Sequence, residues 1–150
     1  MAGKAIFLTG LPGSGKSCYI DSLQTDAVIF DDYKAHAIDD NPSFDHGRRL
    51  KELLEVLRAG KSCIISDIDF CRTEAQREAE SLLRAAVADV TIEWWCFEND
   101  PHRCEQNVLQ RAKSYRRDVR AELTNIHQYS SVYAMPAGAK ILQVWRPSET

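Results

Sequence analysis

The sequence predicts an α/β protein: a mostly parallel, five-stranded sheet with helices on both faces. Three observations predict it. Apolar runs of strand length alternate along the chain with segments at helical spacing, the pattern of parallel strands joined by crossover helices. The chain has 150 residues, 44% hydrophobic and 27% charged, which is ordinary for about one globular domain with a real core. Gly10, Asp31, Asp67 and Glu98 each fall at the carboxyl end of an expected strand, and parallel sheets gather ligands on that rim. No repeat, low-complexity segment or linker interrupts the order. Residues 1–150 therefore read as one domain, with a short basic lid over about 100–120.

The elements follow in order. "KAIFLTG" reads as a short buried strand ending at Gly10, and a helix should run from Gly15 to about Leu23. Ala27 to Phe30 forms a second strand, expected beside the first, and Asp31 and Asp32 follow at once. In "DHGRRLKELLEVLRAG", Leu50, Leu53, Leu54 and Leu57 recur at helical spacing and Gly60 closes the helix. "SCIISD" is a third strand, ending at Asp67. "TEAQREAESLLRAAVA" is a helix capped by Thr73, with Ala75, Ala79, Leu82, Leu83 and Ala86 inward. "VTIEWWCF" is a fourth strand whose Trp94 and Trp95 pack on opposite faces. A helical stretch starts near Asp100 and Pro101, breaks around Ala112 to Tyr115 and runs to about Tyr133. "AKILQVW" is the fifth strand, with Trp145 near its end read as core, lining a base pocket being the lesser alternative.

Composition narrows the function classes. The net charge is −3, so any nucleic-acid contact needs a local basic patch rather than a generally basic surface. No run approaches the ~18 apolar residues of a membrane span, and no membrane partner is expected. The start "MAGKAIFLTG" lacks the pattern of a secretory signal. The five cysteines (Cys18, Cys63, Cys71, Cys96, Cys104) are odd in number and make no C-x-x-C pair, which argues against a disulfide framework or zinc site and for the cytoplasm. His36, His46, His102 and His127 are scattered without ligand spacing.

"GLPGSGKS", Gly10 to Ser17, matches G-x-x-x-x-G-K-[ST] in full, after a strand and before a helix. Gly10, Gly13 and Gly15 let the backbone bend so that N–H groups point inward at an anion. The helix that follows adds its positive end. Lys16 reaches the β- and γ-phosphates of a nucleotide in this motif, and the Ser17 hydroxyl binds Mg²⁺. The expected nucleotide-binding set is Gly10, Gly13, Ser14, Gly15, Lys16, Ser17 and Cys18, the last packing in the first helical turn.

Acids stand at the other strand ends. A kinase needs a carboxylate to accept or orient the proton of an attacking hydroxyl. Neighbouring side chains diverge near a strand end, so one of Asp31 and Asp32 faces the phosphates, and Asp31 is favoured. Lys34, one turn on, is placed to steady the transferred group. "CIISD" ends an apolar run on Asp67, the pattern that supports Mg²⁺ through water or Ser17, with Asp69 a weaker competitor. Tyr33 reads as packing beside the acids. Arg111, Lys113, Arg116, Arg117 and Arg120 crowd ten positions, and an arginine there can stabilise phosphoryl charge; Arg111 is the first choice. No motif marks a base site, and Arg146 after the last strand is a weak pointer.

Together "GLPGSGKS", "FDDYK" and "IISDIDF" resemble the small P-loop kinases, most closely the 5′-hydroxyl polynucleotide kinase branch, from about Lys4 to Tyr133. The resemblance implies a P-loop NTPase fold with ATP and Mg²⁺ held by Lys16 and Ser17. It implies Asp31 as general base, Asp67 as support and Arg111 as a lid arginine. The expected activity is transfer of the γ-phosphoryl group of Mg·ATP to a hydroxyl, first a 5′-hydroxyl nucleic-acid end, otherwise a small hydroxylated metabolite or nucleoside. A nucleotide-binding switch module without acceptor turnover is the alternative of another class. The chain departs from the pattern in three places: Lys34 stands where arginine is frequent, Cys18 where threonine is common, and Asn107 and Val108 fill the neighbourhood of an earlier lid arginine.

Overall fold

The structure is a computed structural model that describes residues 1–33, 44, 49–112 and 118–146. Among them five strands form one sheet: β1 (Lys4–Thr9), β2 (Val28–Phe30), β3 (Cys63–Ser66), β4 (Thr91–Phe97) and β5 (Lys140–Leu142). Every pairing is parallel, and the order is β2-β3-β1-β4-β5. The helices are α1 (Lys16–Ser22), α2 (Leu50–Arg58), α3 (Thr73–Ala86), α4 (Pro101–Arg111) and α5 (Val119–Val132). This is the α/β architecture of the P-loop NTPases, as expected. No helix among the described residues is long and apolar enough to cross a membrane.

The strand order corrects one expectation. β2 does not lie beside β1, because β3 stands between them, with Ile65 opposite both Phe7 and Phe30. Burial explains the placement. All four residues of β3 are buried, which suits a central strand, whereas β2 is three residues long and partly exposed, as edge strands are. The acids after β2 therefore adjoin the end of β3.

Period-two alternation splits the strands between two cores. Ala5, Phe7, Cys63, Ile65, Trp94 and Cys96 face α2 and α3, represented by Leu53, Leu57, Ala75, Ala79 and Leu83. Ile6, Leu8, Ile64 and Phe97 face the other way, against Tyr19 and Ile20 of α1, Cys104 and Val108 of α4, and Ile126 of α5. Trp94 and Trp95 take opposite faces as expected, Trp94 stacking on Phe7 with ring centroids 4.5 Å apart.

Several boundaries shift for local reasons. α2 begins at Leu50 behind Arg49, and residues 45–48 of the expected helix lie outside the described residues. Thr73 is the first helical residue of α3 rather than its cap, a place taken by Arg72. A short 3-10 helix, Ile68–Cys71, follows β3 because the Asp67 carboxylate accepts the Asp69 N–H at 2.9 Å. Asp100 caps α4 and Asp118 caps α5, each accepting an N–H three residues on at 3.0 Å. The fifth strand is shorter than the expected run and stops at Leu142. Trp145 is consequently not a core residue: it is 43% exposed, beyond the strand's end.

Candidate functional site

The phosphate loop joins β1 to α1. Gly13 and Gly15 hold φ values of +82° and +101°, where a side chain is strained. Their surroundings exclude one as well. A Cβ at Gly13 would lie 2.4 Å from the Cys104 carbonyl oxygen, and one at Gly15 would lie 2.7 Å from Trp145 Cβ. The loop is thus pressed between α4 and the segment after β5. Ser14 is buried inside it, and its hydroxyl has no hydrogen-bond partner among the described residues.

Lys16 folds back over the loop, its ammonium donating to Gly10 O at 2.6 Å and Leu11 O at 3.4 Å. Burial lowers its pKa from the usual lysine value, while Cys71, Asp32, Cys104 and Asp67 push the other way. An enclosed ammonium bonded to two carbonyls, beside an unpartnered hydroxyl, fits an anion such as a nucleotide phosphate.

The acids meet on the same rim. One oxygen of Asp31 accepts two bonds, from the Ser66 hydroxyl and from the Asp32 N–H at 3.1 Å. Asp32 itself sits at φ +48°, a left-handed conformation that aspartate tolerates. Asp31 is otherwise exposed to solvent. Asp67 is buried, and its backbone oxygen takes the Thr9 hydroxyl at 2.9 Å, tying the ends of β3 and β1 together. Asp69, the weaker competitor, instead accepts Arg72 Nε at 2.6 Å.

A family model for an AAA domain (AAA_33) matches residues 6–136. The chain belongs to that family. No curated protein matches this AAA-domain chain in sequence. Two solved structures share its fold. One is the protein APE1195, at 15% identity and a TM-score of 0.58, covering 93% of this chain and 84% of that one. The other is a protein from Silicibacter sp. TM1040 named as a fructose transport system kinase, at 14% identity and a TM-score of 0.54, covering 97% and 90%. At such identities the likeness is one of fold.

In this AAA domain α4 is seated on the phosphate loop. Cys104, Asn107, Val108 and Arg111 recur at helical spacing along it, and a Cβ on Gly13 would meet both Cys104 and Val108. Arg111, the expected lid arginine, ends the helix with its Nε buried and without a partner among the described residues. Arg120 is exposed on α5. Lys34, Lys113, Arg116 and Arg117 lie outside the described residues, as do His36 and His46.

The described residues hold no group of three or more His, Cys, Asp or Glu able to cage a metal. Ser17 and Asp67, the expected pair, carry hard oxygen atoms of the kind that could hold Mg²⁺, an ion bound through one or two protein oxygens plus phosphates and water.

Beside the loop a cleft of about 330 Å³ is lined by Gly15, Cys18, Tyr19, Phe97, Gln143 and Trp145. Its mostly apolar wall suits a nucleobase. Cys18 is exposed in this cleft rather than packed in the helix turn. Another cavity, of about 440 Å³, opens near the amino ends of β4 and β5 beside Glu80 and Arg84, and contains none of the expected site residues.

Two expected contributors have other work. Glu98 accepts the Val144 N–H at 3.1 Å and Arg146 Nη2 at 3.3 Å, so both Glu98 and Arg146 brace the segment after β5. Tyr33 is buried, and its hydroxyl donates to Phe44 O at 3.3 Å. Two residues of the site have no signature in the sequence. Ser66 becomes relevant only because β3 adjoins β2. Asn107 showed itself only as one of two positions, with Val108, in the neighbourhood of a missing arginine, yet it is buried and donates from Nδ2 to Gly13 O at 2.9 Å and to Trp145 O at 2.8 Å.

Proposed function

We propose that this AAA-domain protein is an ATP-dependent kinase of the polynucleotide-kinase type, acting on a 5′-hydroxyl nucleic-acid end. The observation that carries the reading is that the phosphate loop and a carboxylate held in place on one oxygen, Asp31, both follow strands of one parallel sheet at their carboxyl ends. The motif resemblance supports the acceptor class. The free state of all five cysteines supports a reducing compartment such as the cytoplasm.

In this reading the loop amides, Ser14 and Lys16 hold the triphosphate, and the base lies in the cleft against Tyr19 and Trp145. Asp31 Oδ1 is occupied by Ser66 and Asp32, so Oδ2 takes the proton of the attacking hydroxyl. The γ-phosphoryl group passes in line to the acceptor oxygen as its bond to the bridging oxygen of the leaving ADP breaks, its charge facing Lys16 and Arg111, whose Nε has no hydrogen-bond partner among the described residues. Ser17, with support from Asp67, would hold Mg²⁺, which would supply screening of the phosphate charge. A switch module has no need of an oriented carboxylate at this rim, which is why phosphoryl transfer is preferred.

The test is transfer of labelled γ-phosphate from Mg·ATP to 5′-hydroxyl oligonucleotides, DNA and RNA, beside a panel of small alcohols, sugars and nucleosides. Labelled oligonucleotide, lost in Asp31→Asn, is the expected result. Label confined to a small molecule keeps the chemistry and replaces the acceptor. ATP binding that is unchanged in Asp31→Asn, with no acceptor labelled by the wild type, favours the switch module.

A further inference from the structure

We infer that Asn107 is a positioning residue that locks the wall of the base cleft to the phosphate loop, so that base and triphosphate bind as one unit. The inference rests on the nucleotide reading above and adds a residue that carries out the coupling.

The geometry is a three-bond clamp. Trp145 donates its backbone N–H to Ser14 O at 2.9 Å. Asn107 then uses one amide nitrogen, which has two N–H bonds, on two carbonyls at once: Gly13 O at 2.9 Å and Trp145 O at 2.8 Å. The backbone of Trp145 is therefore tied at both its N–H and its C=O to the loop or to the residue that grips the loop. Glu98 anchors the same segment one residue earlier through the Val144 N–H. The side chain is treated oppositely. The indole stays 43% exposed and lines the cleft, with its Cβ against Gly15. A backbone pinned on both sides with the ring left open presents a flat apolar face of fixed position to a ring-shaped ligand.

The chemistry calls for an amide. Both acceptors are carbonyls, so a carboxylate would face them without a proton to give, and an apolar side chain would leave them unpaired. Asn107 is 3% exposed and sits on α4 between Cys104 and Val108, the residues packed on Gly13. Without it the loop keeps its own ties: Gly13 and Gly15 retain their turns, and the bond from Trp145 N–H to Ser14 O remains. What is lost is the fixed placement of Trp145. The consequence falls on the part of binding energy that depends on the base.

The experiment measures dissociation constants for Mg·ATP and for Mg·tripolyphosphate on the full chain by calorimetry. The wild type is compared with Asn107→Ala, with Asn107→Leu, which keeps most of the side-chain volume, and with Trp145→Ala. The expected result is a loss of about tenfold or more in ATP affinity for each variant, with tripolyphosphate affinity held within about twofold. In the double variant Asn107→Ala with Trp145→Ala the losses do not add, because both remove the same wall. Equal weakening of both ligands overturns the inference, since Asn107 would then shape only the phosphate loop. Unchanged ATP affinity also overturns it. A wild type that binds neither ligand overturns the nucleotide reading itself and is distinguishable from the other two results. If Asn107→Ala does not fold, Asn107→Leu carries the comparison.

Discussion

Lys16 places a positive charge where burial opposes it, and this governs its chemistry. Its pKa lies below the ordinary 10.5 because the ammonium is desolvated. Phosphate returns what the interior withholds, so the charged form is the one that binds. Lys16→Met should weaken Mg·ATP binding about a hundredfold, equivalent to the ~3 kcal/mol of a strong charge-assisted contact, read by calorimetry. In the wild type, ATP affinity should fall as pH rises through the lowered Lys16 pKa, earlier than an ordinary lysine allows. Ser66 acts at the same scale through Asp31. Ser66→Ala should leave ATP affinity intact and lower the transfer rate about tenfold, since one donor to the carboxylate remains in the Asp32 N–H. The place of Lys16 on the loop was legible because its motif is local. That of Ser66 beside Asp31 was not, because it depends on which strand lies next to β2.

At the scale of elements, the two loop glycines respond to what packs on them. Gly13→Ala introduces strain at φ +82° and drives a methyl group against the α4 backbone. It should cost about 1–3 kcal/mol in urea unfolding and abolish nucleotide binding together. Gly3 provides the contrast, far from the site. A Cβ there would lie 1.8 Å from Lys61 O, closer than atoms can approach, at the point where Gly3 N–H bonds Leu57 O. Gly3→Ala should lower stability by a similar amount while the ATP affinity of the folded protein stays the same. The elements themselves were largely readable. Strands and helices alternate where their apolar spacing says, and α4 ends at Arg111, while residues 113–115 of the expected break lie outside the described residues. The errors sit where a neighbour decides. Asp67 winds the 3-10 helix by capping it, and the end of the fifth expected strand is drawn out of the sheet toward Ser14 and Glu98.

For the whole molecule, four buried thiols set the alkaline limit. Burial pushes Cys63, Cys96 and Cys104 up to about 12 and Cys71 up to about 11, against 9.0 when exposed. Above pH 9 the unfolded chain releases protons that the folded protein keeps, so stability falls as pH rises through the interval between 9 and 11 to 12. Each uncompensated proton lowers it by about 1.4 kcal/mol per pH unit. Lys16 works in the opposite sense below 10.5, but one lysine against four thiols leaves a net loss. The urea midpoint should therefore drop steeply above pH 9, and less steeply in a Cys63→Ala, Cys96→Ala variant. The sequence by itself determined the α/β class, the phosphate loop and the acids at the strand ends, because each is written in residues close together along the chain. Tertiary structure decided the rest. Strand order put Ser66 on Asp31 and kept β2 away from β1. Packing of α4 and the last segment on the loop made Asn107 and Trp145 part of the site. Such contacts join residues as far apart in the chain as Ser14 and Trp145, and no local spacing records them.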